Sequence, residues 1–179
     1  MKQIDLTNVQ EPQGEFKKLV PGGYVIGITR VEDNPDKEYL MIEYDIAEGP
    51  LKNYYHDLNE KFGFWGGNFV KSYKDKALPF FKQFIEAVQA SNRGYKWDSN
   101  EGKLVRKLVG AVLQVETYTN RDGETKEKLA VVQLLPADDI RQGKFTVPES
   151  KNRDKQQNTA QTTQNNDDPD VLSDEGVPF

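Results

Sequence analysis

Apolar and polar side chains alternate along several stretches of the chain, and this alternation predicts β-strands. Residues 24–31 are rich in β-branched side chains and lack proline, so they are predicted to form the first strand. The second predicted strand is residues 38–46, whose apolar face comprises Leu40, Ile42, Tyr44 and Ile46. Tyr39 points to the opposite face of that strand. Residues 51–58 are predicted to form a third strand.

The pattern changes to a helical period in residues 79–92. Its apolar positions recur at a spacing of four and comprise Phe80, Phe81, Phe84, Ile85 and Val88. We therefore predict that the three phenylalanines pack in the core. Two more strands are predicted at residues 109–118 and 126–135, because Asp122-Gly123 between them is a strong hairpin signal. One further helical turn is predicted at residues 138–141.

Three strands, a helix and two strands, in that order, are typical of the OB-fold, a five-stranded and partly open barrel. The fold class is therefore predicted to be mainly β, an OB-fold barrel with a helix between strands 3 and 4. An α+β sandwich fits the same order less specifically. We predict a flexible segment at residues 1–15 and the barrel domain at residues 16–148. Residues 149–179 are predicted to be a disordered linker and an acidic tip, because apolar residues are almost absent from the linker.

The composition excludes several kinds of chemistry. The 179-residue chain has no cysteine and a single histidine, His56, which excludes disulfides, thiolate metal sites, a cysteine nucleophile and a multi-histidine metal centre. The sequence predicts neither a secretory signal nor a membrane span. We therefore expect a cytoplasmic protein that is not an enzyme and that has no cofactor or metal. Asp138-Asp139 resembles a carboxylate pair, but without a neighbouring base or ligand it favours a surface turn over a nuclease centre.

Positive charge and aromatic residues are concentrated in residues 50–107, which we call the basic aromatic segment. It contains 11 Lys and Arg against 6 Asp and Glu, although the whole chain has a net charge of −5. It also holds 12 of the 19 aromatic residues, more than we expect one small barrel to bury completely. DNA bases stack on aromatic rings, and Lys and Arg follow the phosphates without reading sequence. The segment is therefore predicted to bind single-stranded DNA.

The predicted DNA-binding residues combine aromatic and cationic side chains. They are Tyr39, Lys52, Tyr54, Tyr55, Phe62, Phe64, Trp65, Lys71, Tyr73 and Lys74. The stretch Phe62-Gly63-Phe64-Trp65-Gly66-Gly67 is the most suggestive, because its glycines permit close backbone approach and leave the aromatic rings projecting. Tyr54 and Tyr55 are adjacent in the predicted third strand, so only one of them can face inward. The alternative for Phe62 and Phe64 is that they pack into the end of the barrel.

The end of the sequence is acidic but finishes on apolar residues. A partner protein is predicted to bind Asp174, Glu175, Val177, Pro178 and Phe179. The Phe179 side chain can fill an apolar pocket while its α-carboxylate pairs with a cation at the rim, and the acidic residues attract a basic surface. Pro178 reduces the entropy that the peptide loses on docking.

Two parts of the chain resemble known families. Residues 167–179 resemble the acidic tip of bacterial single-stranded DNA-binding proteins, in which acidic residues precede a terminal Pro-Phe; Gly176-Val177 departs from that pattern. Over residues 19–148 the body resembles phage and mobile-element proteins of Gram-positive bacteria. The stretches that carry this likeness are Leu19-Val20-Pro21-Gly22-Gly23-Tyr24, Phe80-Phe81-Lys82-Gln83-Phe84-Ile85 and Thr119-Asn120-Arg121-Asp122-Gly123.

These resemblances imply a sequence-nonspecific single-stranded DNA-binding protein of phage or mobile-element replication and recombination. Such a protein works in the cytoplasm of the bacterial host, and its tip recruits replication or recombination proteins. Two alternatives use the same features: a protein-interaction adaptor of that machinery, and a metal-dependent nuclease centred on Asp138. No membrane partner is expected, and the sequence leaves the oligomeric state open, including a homo-oligomer.

Overall fold

The structure, a computed structural model, describes residues 17–152. Its strands are β1 (Gly22–Asn34), β2 (Tyr39–Ile46), β3 (Asn68–Ser72), β4 (Leu108–Thr119), β5 (Thr125–Leu135) and β6 (Lys151–Asn152). Its helices are α1 (Tyr54–Phe62), α2 (Leu78–Ser91) and α3 (Ala137–Arg141), with 3-10 turns at Asp75–Ala77 and Glu101–Leu104. The described part is therefore mainly β, with its longest helix between the third and fourth strands.

Five strands form one antiparallel sheet in the order β3-β2-β1-β4-β5. The short β6 pairs with β4 in parallel, opposite Glu116 and Thr117. Within residues 17–152 the edge strands β3 and β5 do not pair with each other, so the barrel is not closed. Helix α2 contacts β3, β4 and β5 and therefore packs across the opening.

The long strand β1 lies in the middle of the sheet. It pairs with β4 near its start and with β2 along its later part. The β1–β2 register shifts between Ile28 and Arg30. A bulge of this kind bends a strand and increases its twist. Ile26 and Ile28 are buried in the core before the bulge, and Val31 packs against the core after it. The bulge thus keeps apolar side chains inward while β1 curls.

A chain of ring contacts runs through the core. Tyr44 of β2 lies with its ring centroid 5.5 Å from that of Tyr55 and 5.8 Å from that of Phe69. Phe69 contacts Phe84 of α2 at 6.0 Å, and Phe84 contacts Phe81 at 6.2 Å. Aromatic pairs in tilted or edge-to-face geometry contribute about 0.5–1.5 kcal/mol each beyond the area they bury. The core therefore takes up more of the basic aromatic segment than we expected from the sequence.

The structure confirms the first two predicted strands, the last two, the helix between strands 3 and 4, and the final turn, which is α3. The predicted third strand at residues 51–58 is wrong, because α1 begins there and β3 lies further along the chain. Phe80 was also predicted to be buried, but it is 61% exposed. A helix on a small sheet buries one stripe, and in α2 that stripe is occupied by Phe84, Ile85 and Val88.

Helix α3 and the chain that follows it cover part of the outer face of the sheet. A Cβ on Gly110 of β4 would lie 2.6 Å from the Cγ1 atom of Ile140. A Cβ on Gly23 of β1 would lie 2.5 Å from the ring of Phe145. These two glycines therefore allow residues 137–148 to pack directly against β1 and β4.

Some predictions fall on residues 1–16 and 153–179, which lie outside the described residues. They are the flexible N-terminal segment, most of the disordered linker, and the partner-binding residues Asp174, Glu175, Val177, Pro178 and Phe179. At the predicted domain boundary, β6 extends the strand pairing slightly past residue 148. None of the helices in residues 17–152 has the length and apolar character needed to cross a bilayer.

Candidate nucleic-acid interface

The outer face of β2 and β3 presents a strip of half-exposed side chains. Tyr39 lies opposite Ser72, and Met41 lies opposite Val70, in the β2–β3 pairing. Strand alternation places these four side chains on the face that points away from the core. The Tyr39 hydroxyl accepts a hydrogen bond from the side-chain amide of Asn34 at 3.2 Å. The strip, as we call these four residues, therefore offers one aromatic ring and two apolar side chains.

A buried carboxylate anchors α1 to the sheet. Asp45 of β2 is 8% exposed, and its two oxygens accept hydrogen bonds from the backbone N–H groups of Tyr55 at 2.8 Å and His56 at 3.0 Å. The N-cap residue Asn53 makes no side-chain cap hydrogen bond, so Asp45 satisfies the start of the helix from another element. Tyr55 is buried, whereas Tyr54 is half-buried and also packs against the core. Both lie in a helix, so the strand alternation that was expected to separate them does not apply.

The prediction that Tyr55 binds DNA is therefore wrong. Its side chain is 5% exposed and lies in ring contact with Tyr44, Tyr54 and Trp65. A ring held in this way has no face available for a base. Tyr54, which is half-buried at the surface, keeps that role as a prediction.

Two exposed phenylalanines flank the end of α1. Phe62 is 64% exposed and Phe64 is 54% exposed. Between them, Gly63 has a φ of 72°, in the left-handed region that favours glycine, and its N–H donates to the Asn59 carbonyl at 2.8 Å. The alternative, that both rings pack into the end of the barrel, is contradicted by their exposure. Gly63 instead ends the helix and leaves both rings at the surface.

The loop after α1 returns to the sheet through Trp65 and Gly67. The indole Nε1–H of Trp65 donates to the Gly67 carbonyl at 3.1 Å. The same carbonyl accepts the N–H of Tyr44 at 2.8 Å. A Cβ on Gly67 would lie 2.3 Å from the carbonyl oxygen of Tyr44, so this close approach of two backbones requires glycine. Trp65 is half-buried and holds the base of the loop, with less of its ring exposed than Phe62 or Phe64.

Tyr73 and Lys74 follow β3 at the other end of the strip. The Tyr73 hydroxyl donates to the carboxylate of Asp33 at 2.8 Å. Burial, followed by this hydrogen bond, raises the pKa of Tyr73 to about 12, so its hydroxyl stays protonated at neutral pH. The backbone N–H of Lys74 donates to the Ser72 hydroxyl at 3.3 Å. Lys71 lies opposite Leu40 in the β2–β3 pairing, so its side chain is on the face opposite to the strip, where it is half-exposed.

The structure divides the predicted DNA-binding residues into two groups at opposite ends of β2. The first, which we call the α1 group, comprises Lys52, Tyr54, Phe62, Phe64 and Trp65. The second, the β3 group, comprises Tyr39, Lys71, Tyr73 and Lys74. The 8-residue strand β2 separates them, which corresponds to about 25 Å at the usual strand rise. Tyr39 belongs to both the strip and the β3 group, and the other strip pair, Met41 and Val70, lies one step along the strands toward the α1 group.

Charge is distributed unevenly between the described part and the rest of the chain. Residues 17–152 contain 21 Lys and Arg against 20 Asp and Glu, a net charge of +1, whereas the whole chain carries −5. Beside the strip, Arg30 lies 3.0 Å from Glu32 and 3.5 Å from Glu43. Lys74 and Lys76 make no ion pair with any carboxylate of residues 17–152. Two cations that pair with no carboxylate of the described residues, Lys74 and Lys76, therefore lie in or beside the β3 group.

A cleft beside the α1 group was not predicted from the sequence. It has a volume of about 370 Å³ and is lined by Lys17, Lys18, Tyr24, Glu48, Pro50 and Leu51. Lys52 and Tyr54 of the α1 group follow Leu51 closely in the chain. The available sequence signal was the Lys17-Lys18 doublet just before the first predicted strand, but pairs of surface lysines are common.

A larger groove of about 730 Å³ runs beside α2. Its apolar side chains are Leu78, Pro79, Phe81, Ile85 and Trp97, and its polar ones are Asp75, Lys82, Glu86 and Gln89. Lys82 lies 3.6 Å from Glu86, so the ionised side chains of the groove leave a net charge of −1. A negative surface is a poor binding site for the phosphates of DNA.

Among residues 17–152, His56, Asp57 and Glu60 bring potential metal ligands together, with ligand atoms within 4.8 Å of one another. Asp57 lies 3.4 Å from Nδ1 of His56, whereas Glu60 lies 3.7 Å from Nε2. The carboxylates thus contact opposite ring nitrogens, and all three side chains are exposed, which is the geometry of surface ion pairs. Asp138 of the suspected carboxylate pair is bound by Arg141 at 2.5 Å.

Comparison with known proteins assigns no family to the chain. No protein-family model matches the sequence, and no curated protein matches it. The resemblances to bacterial and phage DNA-binding proteins therefore stay predictions, and the function is inferred from the arrangement of the α1 group, the strip and the β3 group.

Proposed function

We propose that this protein binds single-stranded DNA without sequence preference on an OB-fold barrel. The strand order β3-β2-β1-β4-β5, with α2 between β3 and β4, supports this fold. OB-folds are partly open barrels that bind oligonucleotides on the face of strands 2 and 3 and on the loops 1–2 and 4–5. The proposed DNA path runs along the strip, from the α1 group to the β3 group. Such binding needs neither a catalytic group nor a cofactor.

The observation that carries the proposal is the pair of exposed rings on either side of Gly63. Phe62 and Phe64 leave more than half of their surface in water, although burying a phenylalanine stabilises a protein by about 1.5–3 kcal/mol. Stacking of a base on an aromatic side chain contributes about 1–3 kcal/mol. Two such stacks together contribute about 2–6 kcal/mol, and cations near both groups add contacts to phosphates.

Fluorescence anisotropy of labelled oligo-dT tests this function. The double variant Phe62→Ala/Phe64→Ala should lose at least about 30-fold in affinity, the loss that corresponds to two weak base stacks. Phe80→Ala is the matched control, because Phe80 is also exposed, at 61%, but lies on α2 outside the proposed path. Equal losses in the two variants, or no binding of oligo-dT by the unmodified protein at low salt, would exclude the proposal.

We further propose that the C-terminal tip recruits replication or recombination proteins of a phage or mobile element in the bacterial cytoplasm. The apolar residues Val177, Pro178 and Phe179, which follow the acidic Asp174 and Glu175, support this role. A pull-down from host extract with the full chain and with Phe179→Ala tests it. The substitution should abolish capture of the partner and leave oligo-dT affinity unchanged.

A second candidate function, a protein-interaction adaptor, is favoured by the groove beside α2. Leu78 and Phe80 are 46% and 61% exposed next to this apolar groove, and its negative charge suits a basic protein better than DNA. Leu78→Asp/Phe80→Asp should then abolish protein binding, with no oligo-dT binding by the unmodified chain. Oligo-dT binding that depends on Phe62 and Phe64 would instead favour the first function.

A further inference from the structure

The cleft beside the α1 group combines an apolar surface with cations. Its volume of about 370 Å³ lies near the lower end of the range for small-ligand sites, about 300–1,000 Å³. The Tyr24 hydroxyl donates to the Val20 carbonyl at 2.6 Å, which fixes the tyrosine ring at the cleft. Lys17 and Lys18 are exposed, and neither forms an ion pair with a carboxylate of residues 17–152. One ring and two available cations thus border a space of ligand size.

The acidic residue of the cleft is neutralised by a cation from α3. Arg141 donates two hydrogen bonds to the carboxylate of Glu48, from Nε at 3.1 Å and from Nη2 at 2.6 Å. This paired geometry is the strong form of a guanidinium–carboxylate contact. The charged groups in and around the cleft are Lys17, Lys18, Lys52 and Arg141 against Glu48 and Asp138. Their net charge is +2, which favours an anionic ligand.

The cleft is continuous with the proposed DNA path. Leu51 lines the cleft together with Tyr24, and its carbonyl accepts the backbone N–H of Tyr54 at 3.1 Å, so a strand that stacks on Tyr54 of the α1 group can continue to Tyr24. We propose that the cleft binds one nucleotide of the single strand, with its base on Tyr24 and its phosphate between Lys17 and Lys18. This inference rests on the proposed DNA-binding function and extends it to residues outside the basic aromatic segment.

The decisive experiment measures oligo-dT affinity of the full chain as a function of salt concentration. Lys17→Ala/Lys18→Ala should weaken binding at low salt and reduce the slope of log K against log salt by about 0.7, the value for one phosphate contact with a single strand. Lys82→Ala/Lys96→Ala is the matched control. It removes the same charge from exposed lysines on the α2 side of the molecule, and it should leave the slope unchanged.

A second pair of variants tests the role of Glu48 without touching the lysines. Arg141→Ala leaves the Glu48 carboxylate unneutralised in the cleft, so oligo-dT binding should weaken. Adding Glu48→Gln to Arg141→Ala should restore the affinity, because the amide carries no charge to repel the phosphate. A merely structural role for Arg141 would leave the double variant as weak as the single one, and that result would overturn the proposal.

The outcomes separate this inference from the function on which it rests. If the unmodified protein binds oligo-dT but the Lys17/Lys18 variant has the same affinity and salt slope, the nucleotide cleft is wrong and the DNA-binding function stands. If neither protein binds oligo-dT, both are wrong. Tighter binding by the variant would mean that the lysines hold a competing acidic segment, such as residues 167–179, and would also overturn the proposal.

Discussion

The carboxylate of Asp45 in β2 accepts the backbone N–H of Tyr55, ten residues later, at 2.8 Å. The same side chain also accepts the N–H groups of Ile46 and His56, at 2.8 and 3.0 Å. A strand residue thus caps a helix that follows it, and this contact orients α1 so that Tyr55 enters the core. Because α1 ends at Phe62, Asp45 also determines where the exposed rings of Phe62 and Phe64 lie.

Asp45→Ala should therefore destabilise the protein. Loss of a helix cap costs about 0.5–2 kcal/mol, and leaving a buried N–H without a partner costs about 1–3 kcal/mol. We expect the free energy of unfolding, measured by urea denaturation, to fall by about 1–3 kcal/mol. Asp57→Ala is the matched control, because Asp57 is an exposed carboxylate in the first turn of the same helix. A loss of equal size in the control would show that general helix electrostatics, not the Asp45 contact, stabilises α1.

This contact also explains why the third strand was wrongly predicted. Tyr54 and Tyr55 favour strands by local preference, and the residue that starts the helix lies in another element. Gly63, which ends α1, was visible in the sequence as part of a glycine-rich loop. The remaining strands and α2 were predictable because their apolar period is carried by the residues themselves, from Leu40 in β2 to Val88 in α2.

Gly67→Ala should be more damaging than Gly66→Ala. A Cβ on Gly67 would lie 2.3 Å from the carbonyl oxygen of Tyr44 and 2.5 Å from the Tyr55 ring. The backbone oxygen cannot rotate away, so β2 and the loop must separate, at a cost of about 1–3 kcal/mol or more. A Cβ on Gly66 would lie 3.2 Å from the Phe64 ring and 3.3 Å from the Tyr55 ring, so these neighbours need to shift by only a few tenths of an ångström. Urea denaturation of the two variants checks the order, and a larger loss for Gly66→Ala would contradict it.

The candidate site was only partly predictable, because composition does not say which aromatic rings the core uses. Phe69 and Phe84 fill the interior, and Tyr55 joins them through its contact with Tyr44. Phe62 and Phe64 also belong to an aromatic stretch, but they lie at the last residue of α1 and just beyond it, and only the fold defines that helix end. The cleft of Lys17 and its neighbours was missed for a related reason. Its residues come from three separate stretches of the chain, and nothing in one stretch indicates the others.

The Glu48–Arg141 pair should make stability depend on pH in the acid range. The hydrogen bonds from Arg141 lower the pKa of Glu48 below its ordinary value of 4.5. A group whose pKa is lowered on folding stabilises the protein fully above its unfolded pKa, and this contribution is lost as pH falls through the folded pKa. Because Arg141 and Glu48 side chains are 40% and 39% exposed, solvent screening limits the contribution to about 1 kcal/mol or less.

Urea midpoints of the unmodified protein and of Glu48→Gln check this dependence. The unmodified protein should be the more stable of the two at neutral pH, and the difference should shrink as pH falls below about 4.5. A difference that stays constant down to about pH 2 would mean that the amide fails for steric reasons and that ionisation of Glu48 contributes nothing.

Removal of residues 153–179 should leave oligo-dT binding equal or tighter. These residues contain 2 Lys and Arg against 6 Asp and Glu, a net charge of −4, whereas residues 17–152 carry +1. A negative segment competes with phosphates for the same cations, and this competition is strongest at low salt, where the screening length is about 30 Å at 0.01 M. Any gain in affinity should therefore be largest at low salt and disappear as salt is raised.

A charge-neutral full-length variant distinguishes charge from length in this experiment. Replacing Asp167, Asp168, Asp170, Asp174 and Glu175 by the corresponding amides keeps the length of the chain and removes five negative charges. If electrostatic competition is the cause, this variant should bind oligo-dT like the chain that ends at Asn152. A large loss of affinity on truncation, with no change in the amide variant, would instead mean that residues 153–179 contact the DNA, and the division of roles between barrel and tip would be wrong.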